Sequence, residues 1–235
     1  MHIDKDLQRH AVPVALPSAF QGLDLGFAQG GVAKGLYQTW VKRALDILAI
    51  VICLPLVLPF MGLLALAVAM QGGNPFYRQA RVGLHGKTFT MWKLRTMVRD
   101  ADAALAAHLQ ANPAARAEWA RTQKLKDDPR ITPLGAILRR TSLDELPQLW
   151  NVLRGEMSLV GPRPMLPEQQ GLYPGSAYYT MLPGITGLWQ VSARNEAAFA
   201  ERASFDTRYH HSLSFWTDLR TLLATVRVVT RATGH

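Results

Sequence analysis

The chain of 235 residues contains a single cysteine, Cys53. An internal disulfide is therefore excluded, and a reducing compartment is the natural setting. Acidic residues are scarce as well. Seventeen Asp and Glu stand against 26 Lys and Arg, giving a formal net charge of +9. An excess of that size calls for an anionic partner: nucleic acid, a phospholipid surface or a phosphorylated substrate. The opening MHIDKDLQRH has no apolar stretch behind it, so no signal peptide is expected. There is no internal repeat, no zinc-ligand spacing, no aromatic RNA-binding motif and no recognition-helix pattern, which leaves nucleic-acid binding unsupported. The apolar share of 49% is ample for one large domain, or one domain with appendages.

The most informative absence is that of charge. Residues 47–70, ILAIVICLPLVLPFMGLLALAVAM, carry none. As a straight helix this run would extend about 36 Å, more than the roughly 30 Å of a bilayer's hydrocarbon core. Two features argue against a plain span. Pro55 and Pro59 lie near its middle and should kink or break a helix. The flanks are basic on both sides, with Lys42 and Arg43 before the run and Arg78, Arg81 and Lys87 after it. Positive flanks belong on the cytoplasmic side, so the run is expected to enter the membrane, turn at the prolines and leave by the same face. A spanning helix is the alternative, and a buried core helix suits two prolines and this length badly. The expected organisation is an arm over residues 1–38, loosely ordered and rich in Gly, Ala and Pro, then a re-entrant membrane helix over 39–72, then a catalytic domain over 73–235.

The rest reads as α+β, helix-rich, with a small sheet. FYRQARVGLHGKTFTMWKLRTMV suggests short strands around a Gly-Leu-His-Gly turn, with Lys93 and Arg95 on one face. An alanine-rich helix follows around residues 101–110, and a second begins with Asn112 as cap and Pro113 in the first position. DDPR marks a turn, and LGAILRR a short helix ending in Arg139 and Arg140. At the end of the chain, DLRTLLATVRVVTRATGH places Arg220, Arg227 and Arg231 on one helical stripe beside Leu219, Leu222, Leu223, Val226 and Val229. That pattern fits an interfacial amphipathic helix, or equally an ordinary packed helix with a solvated basic edge.

Within RRTSLDELPQLWNVLRGEMSLVGPRP, two carboxylates stand together in a basic neighbourhood. Ser142 as helix cap would leave Pro147 at the fifth position and break a hydrogen bond. Asp144 as cap puts Pro147 third, where its missing donor costs nothing. Asp144 is thus expected at a helix N-terminus with Glu145 after it. For an arbitrary protein the pair would simply serve the cap and the helix dipole. The same placement also favours an ionised carboxylate able to act as a nucleophile. Two adjacent carboxylates can hold Mg²⁺ together with substrate phosphates. Arg163, held between Pro162 and Pro164, offers a guanidinium fork matched to phosphate.

KRALDILAIVICLPLVLPF, MWKLRTM, LRRTSLDELPQLWNVLRGEMSLVGPRP and PGITGLWQVSARN occur in this order. Together they resemble the bacterial sugar transferases that begin exopolysaccharide and O-antigen synthesis, the monotopic polyprenyl-phosphate phosphoglycosyl transferases. The resemblance runs from about Leu36 to the C-terminus. It implies a UDP-sugar and undecaprenyl phosphate as substrates, at the cytoplasmic face of the bacterial inner membrane. It also implies that Asp144 attacks the β-phosphorus, that UMP leaves, and that the lipid phosphate takes the phosphosugar from the aspartate. By the same resemblance Glu145 helps bind Mg²⁺, while Pro162, Arg163 and Pro164 form the nucleotide-side loop. Lys93, Arg95, Arg139 and Arg140 match a basic pocket, and Pro55 the break of the re-entrant helix. The family also allows a homodimer. Two departures stand out. Leu54 replaces the serine many members carry before the proline, and Ala193 replaces a glycine in the VS-x-RN stretch. GLWQVSARN looks more like the galactose-1-phosphate branch than the glucose branch. Larger members add transmembrane helices and a further domain before this core, so the chain looks like a minimal catalytic form. Two other classes fit the residues less well: a membrane-anchored adaptor without chemistry, in which Asp144 is only a cap, and a glycosyltransferase that releases UDP.

Overall fold

A computed structural model describes residues 33–122, 125–192 and 199–230. The arm expected over 1–38 lies outside the described residues up to position 32, and positions 33–38 are already helical. A first turn, Ala33–Leu36, runs through a wider π-type turn, Tyr37–Val41, into α1, Lys42–Met70. Pro55 and Pro59 both lie inside α1, and the backbone is helical at every residue across them. The expected break is thus not a loss of helix. Most of α1 is bare. Ile52, Leu56, Leu63 and Leu66 are each at least 60% exposed. This is the one helix among the described residues long and apolar enough to cross a membrane.

Only the two ends of α1 are buried against the remainder. Near its start, Arg43 donates to the carbonyls of Val152 and Leu153. Asp46 accepts from Ser158 Oγ at 2.7 Å and from the Leu159 amide at 3.3 Å, and Ile50 joins Met91, Val152 and Met157 in one cluster. Near its end, Val68 packs with Leu94 and Leu138.

β1, Phe76–Val82, and β2, Thr88–Leu94, form the expected antiparallel hairpin, in register from Phe76 opposite Leu94 to Val82 opposite Thr88. α2, Ala101–Ala111, and α3, Pro113–Thr122, follow, and the Asn112 side chain caps α3 by accepting from the Ala115 amide. α4, Pro133–Arg140, starts at Thr132, whose hydroxyl accepts from Gly135. α5 is Gln148–Leu153. β3, Ser158–Val160, and β4, Gly184–Thr186, pair in parallel as a second small sheet. The connection between them carries the Gly-Pro-Arg-Pro loop and two 3₁₀ turns, Pro167–Leu172 and Ala177–Thr180. α6, Leu188–Ser192, α7, Arg202–Ser212, and α8, Phe215–Thr230, complete the fold. Val160, Trp189, Phe205, Tyr209 and Leu213 form a core cluster over β3. The described portion is helix-rich with a small sheet component, as expected.

The start of α1 and α8 are joined by a buried polar knot. Asp218 on α8 accepts from Lys42 Nζ at 2.5 Å, Tyr37 OH at 2.8 Å and Tyr209 OH at 2.6 Å. α8 turns Thr217, Asp218 and Thr221 inward, while Trp216, Leu223 and Val226 face outward beside Arg220 and Arg227. Arg231 lies outside the described residues.

Candidate active site

The dyad does not cap a helix. α4 ends at Arg140, and Ser142 then adopts a left-handed conformation, φ 57°, which is uncommon for a side-chain-bearing residue and a mark of functional sites. The chain reverses there into a tight 3₁₀ turn, Leu143–Glu145, closed by the Leu146 amide on the Leu143 carbonyl. α5 begins only at Gln148, with Pro147 immediately before it. Pro147 has no N–H to offer a preceding turn, and as the flanking residue it loses nothing.

The turn buries Asp144, which is 7% exposed. Cations stand round it. Lys93 Nζ lies 2.8 Å from Glu145 Oε1 and 3.7 Å from Asp144 Oδ2. Arg163 Nη1 is 3.8 Å from Glu145 Oε1. Arg139 is fixed by its Nε donating to Thr96 Oγ1 at 2.8 Å, and its charge also favours the Asp144 carboxylate. Burial nevertheless pushes the Asp144 carboxyl above its ordinary value. Lys93 opposes that rise, the Glu145 charge adds to it, and Arg139 and Arg163 again oppose it. The expectation that a helix dipole keeps Asp144 ionised is thus corrected. No α-helix starts at this residue, and the stabilisation of its charge falls to the three cations.

Arg163 is presented by a stiff loop. Pro162 and Pro164 are buried, and Arg163 keeps 30% of its side chain exposed. The Gly161 amide donates to Thr186 O, the Gly184 amide to Pro162 O, and Arg81 Nη1 to Pro164 O at 3.0 Å. A Cβ at Gly187 would stand 2.1 Å from Gly161 O, so only glycine lets α6 approach the loop this closely.

Lys93, Arg139, Arg163, Asp144 and Glu145 thus come together as expected. Arg95 and Arg140 do not. Arg95 turns to the end of α1 and donates to the carbonyl of Val68, which also accepts from the Gln71 amide, and to that of Gly72 just past the helix. Arg140 is exposed and pairs with neither carboxylate. Two further arginines lie near this site: Arg81, read from sequence only as a basic flank of the apolar run, and Arg202, which was not singled out. Arg81 sits in a strand with several polar residues, and Arg202 follows a stretch with no pattern. A cavity of about 240 Å³ opens beside Glu145, between the dyad turn, β4, α6 and α8, with Leu146, Gln190, Thr225 and Val229 among its walls.

A model of the family described as bacterial sugar transferase matches residues 37–232. The exopolysaccharide production protein ExoY of Sinorhizobium fredii is 43% identical over 207 residues, 87% of this chain and 88% of that protein. The undecaprenyl-phosphate galactose phosphotransferase of Salmonella typhimurium is 45% identical over 83% of this chain, which spans only 41% of that longer protein. The UDP-glucose:undecaprenyl-phosphate glucose-1-phosphate transferase of Caulobacter vibrioides is 38% identical over 79% of this chain and 68% of its own length. With an acidic dyad ringed by cations and the match covering all but a few of the described residues, the chain belongs to the bacterial sugar transferase family.

Proposed function

We propose that this protein transfers a hexose 1-phosphate from a UDP-sugar to undecaprenyl phosphate, releases UMP, and so begins exopolysaccharide or O-antigen synthesis. The observation that carries the reading is the buried Asp144, held beside Glu145 within reach of Lys93, Arg139 and Arg163. Phosphoryl transfer needs little else from a protein than an in-line nucleophile and positioned positive charge.

In the first step an Asp144 carboxylate oxygen bonds to the β-phosphorus as the bond to the UMP oxygen breaks. UMP departs with that electron pair. In the second, an oxygen of the lipid phosphate bonds to the same phosphorus, and the aspartyl–phosphorus bond breaks to restore the carboxylate. Lys93 and Arg163 hold Glu145 and the phosphate oxygens, and Arg139 favours the ionised nucleophile. Among the described residues no group of three or more His, Cys, Asp or Glu gathers as a metal cage. Two adjacent carboxylates do fit Mg²⁺, which takes one or two of them and fills its shell with water and phosphate oxygens. Asp144 and Glu145 would hold it, and the ion would neutralise charge on the diphosphate.

The membrane reading is a re-entrant helix. Ile50 shares a cluster with Met91, and Val68 shares one with Leu94. On a straight helix residues 50 and 68 would stand about 27 Å apart, whereas residues 91 and 94 of a strand are separated by about 10 Å. A bend between them, where Pro55 and Pro59 lie, reconciles the two spacings, and the bare apolar middle is left to enter one leaflet. α8 supports an interfacial placement, because its inward stripe is polar and its outward face apolar with a basic edge. On this reading the dyad lies beside a bilayer that supplies the lipid phosphate, on the cytoplasmic side of the bacterial inner membrane.

The test uses purified protein, Mg²⁺, undecaprenyl phosphate and a panel of UDP-sugars that includes UDP-galactose and UDP-glucose. UMP should appear with the productive sugar. UDP in its place would mean ordinary glycosyl transfer and would sink the reading.

A further inference from the structure

Among the described residues, four buried side-chain polar atoms have no hydrogen-bond partner: Arg81 Nε, Trp189 Nε1, Gln190 Oε1 and Arg202 Nε. Such atoms are rare in folded proteins and cost roughly 1–3 kcal/mol each. Here they are gathered at one place. Arg81 is tied to the Pro164 carbonyl, and Arg202 stacks over Trp189 at 4.2 Å and Phe199 at 4.6 Å. Gln190 is the next residue of α6, which packs on Gly161 through Gly187. All four therefore border the Gly-Pro-Arg-Pro loop, and three of the four are donors.

The charge there is equally one-sided. Burial, and then the Arg163 cation, lower the guanidinium pKa of Arg81 and of Arg202 to about 10 in each case. Both remain charged at neutral pH, so three cations stand within range of one another. The acidic groups in range are already engaged: Asp206 accepts from Tyr173 OH at 2.8 Å, and Glu145 pairs with Lys93. Three neighbouring guanidinium groups, two of them half-buried with a buried, idle Nε donor, suit an oxyanion with several acceptor oxygens.

We propose that Arg81, Arg163 and Arg202 form an oxyanion pocket that takes a phosphate group of one of the two substrates, with Trp189 and Phe199 fixing the plane of Arg202. The choice of phosphate over other oxyanions rests on the transfer reading above. Two sources supply that chemistry, the nucleotide and the prenyl phosphate.

The experiment is calorimetric titration of the full chain in detergent micelles with uridine, UMP, UDP and farnesyl phosphate. It compares wild type with Arg202→Gln, Arg202→Lys and Arg81→Gln. Arg202→Gln should weaken at least one phosphate-bearing probe about tenfold or more, leave uridine unchanged, and be partly rescued by Arg202→Lys. Loss confined to UMP and UDP assigns the pocket to the donor; loss confined to farnesyl phosphate assigns it to the acceptor. If the glutamine variants fail to fold, Arg202→Lys decides, since it keeps the charge but loses the fork and should still bind more weakly. Folded variants that bind every probe like wild type overturn the proposal. UMP release is measured in the same preparations. Arginine-dependent binding in a protein that releases no UMP would keep the pocket and overturn the transfer reading. Undiminished binding in the variants with normal UMP release would do the reverse.

Discussion

Lys93 and Arg95 illustrate how far single residues can be read. Their alternation put both cations on one strand face, but only Lys93 meets the dyad. Arg95 is drawn away by carbonyls at the end of α1, a contact that arises only once the distant end of α1 lies against the residues following β2. The two should therefore separate by measurement. Lys93→Met should slow UMP formation by roughly 10- to 100-fold, the worth of a hydrogen bond to a charged group, while Lys93→Arg keeps much of the rate. Arg95→Met should chiefly lower stability, by about 1–3 kcal/mol in denaturant titration. Equal kinetic losses in both would contradict this division. The pairing of Asp144 and Glu145 in a basic neighbourhood was legible, but the conformation of Asp144 was not. In the sequence, Pro147 is tolerated early in a helix, which favours Asp144 as its cap. The left-handed Ser142, which closes α4 and forces the 3₁₀ turn, leaves no trace in a propensity scale.

Elements carry the membrane argument. Paired basic flanks and two prolines were visible in the sequence; the burial of only the two ends of α1 was not, because it depends on contacts between distant residues such as Ile50 with Val152 and Met157, and Val68 with Leu94. In a Cys53→Ser background, cysteines placed singly at Gln38 and Gln71 should both react with an impermeant thiol reagent from the cytoplasmic side of sealed vesicles. Labelling from opposite sides would establish a span and end the re-entrant reading. The knot at Asp218 ties α1 to α8. Asp218→Ala leaves Lys42 buried without its carboxylate and should cost about 3–5 kcal/mol. A loss under about 1 kcal/mol would mean that Lys42 finds water instead. The amphipathic character of α8 was legible, but its buried stripe of Thr217, Asp218 and Thr221 was not, since those residues read as polar surface.

For the molecule as a whole, charge and stability have a measurable pH signature. Burial, opposed by Tyr173 and Arg202, pushes the Asp206 carboxyl from 3.8 up to about 7. Between those values the folded protein keeps a proton that the unfolded chain has released. Stability from this group is full below pH 3.8 and is lost as pH rises to about 7. Asp206→Asn should flatten that part of the melting-temperature profile; an unchanged slope would place the titration elsewhere. Family and helix-rich architecture were legible because the LDELPQLWNVLRGEMSLVGPRP block is so specific. The arginines Arg81 and Arg202 were not, because their role depends on three segments converging on one loop.

In the proposed mechanism Asp144 carries the phosphosugar. The direct measurement is intact-protein mass spectrometry after incubation with Mg²⁺ and the productive UDP-sugar, without any lipid acceptor. Wild-type protein should become heavier by one hexose phosphate, with the label mapped to Asp144, cleared on adding undecaprenyl phosphate and absent in Asp144→Asn. A protein that turns over fully with acceptor yet never gains that mass, or gains it equally in Asp144→Asn, would contradict it.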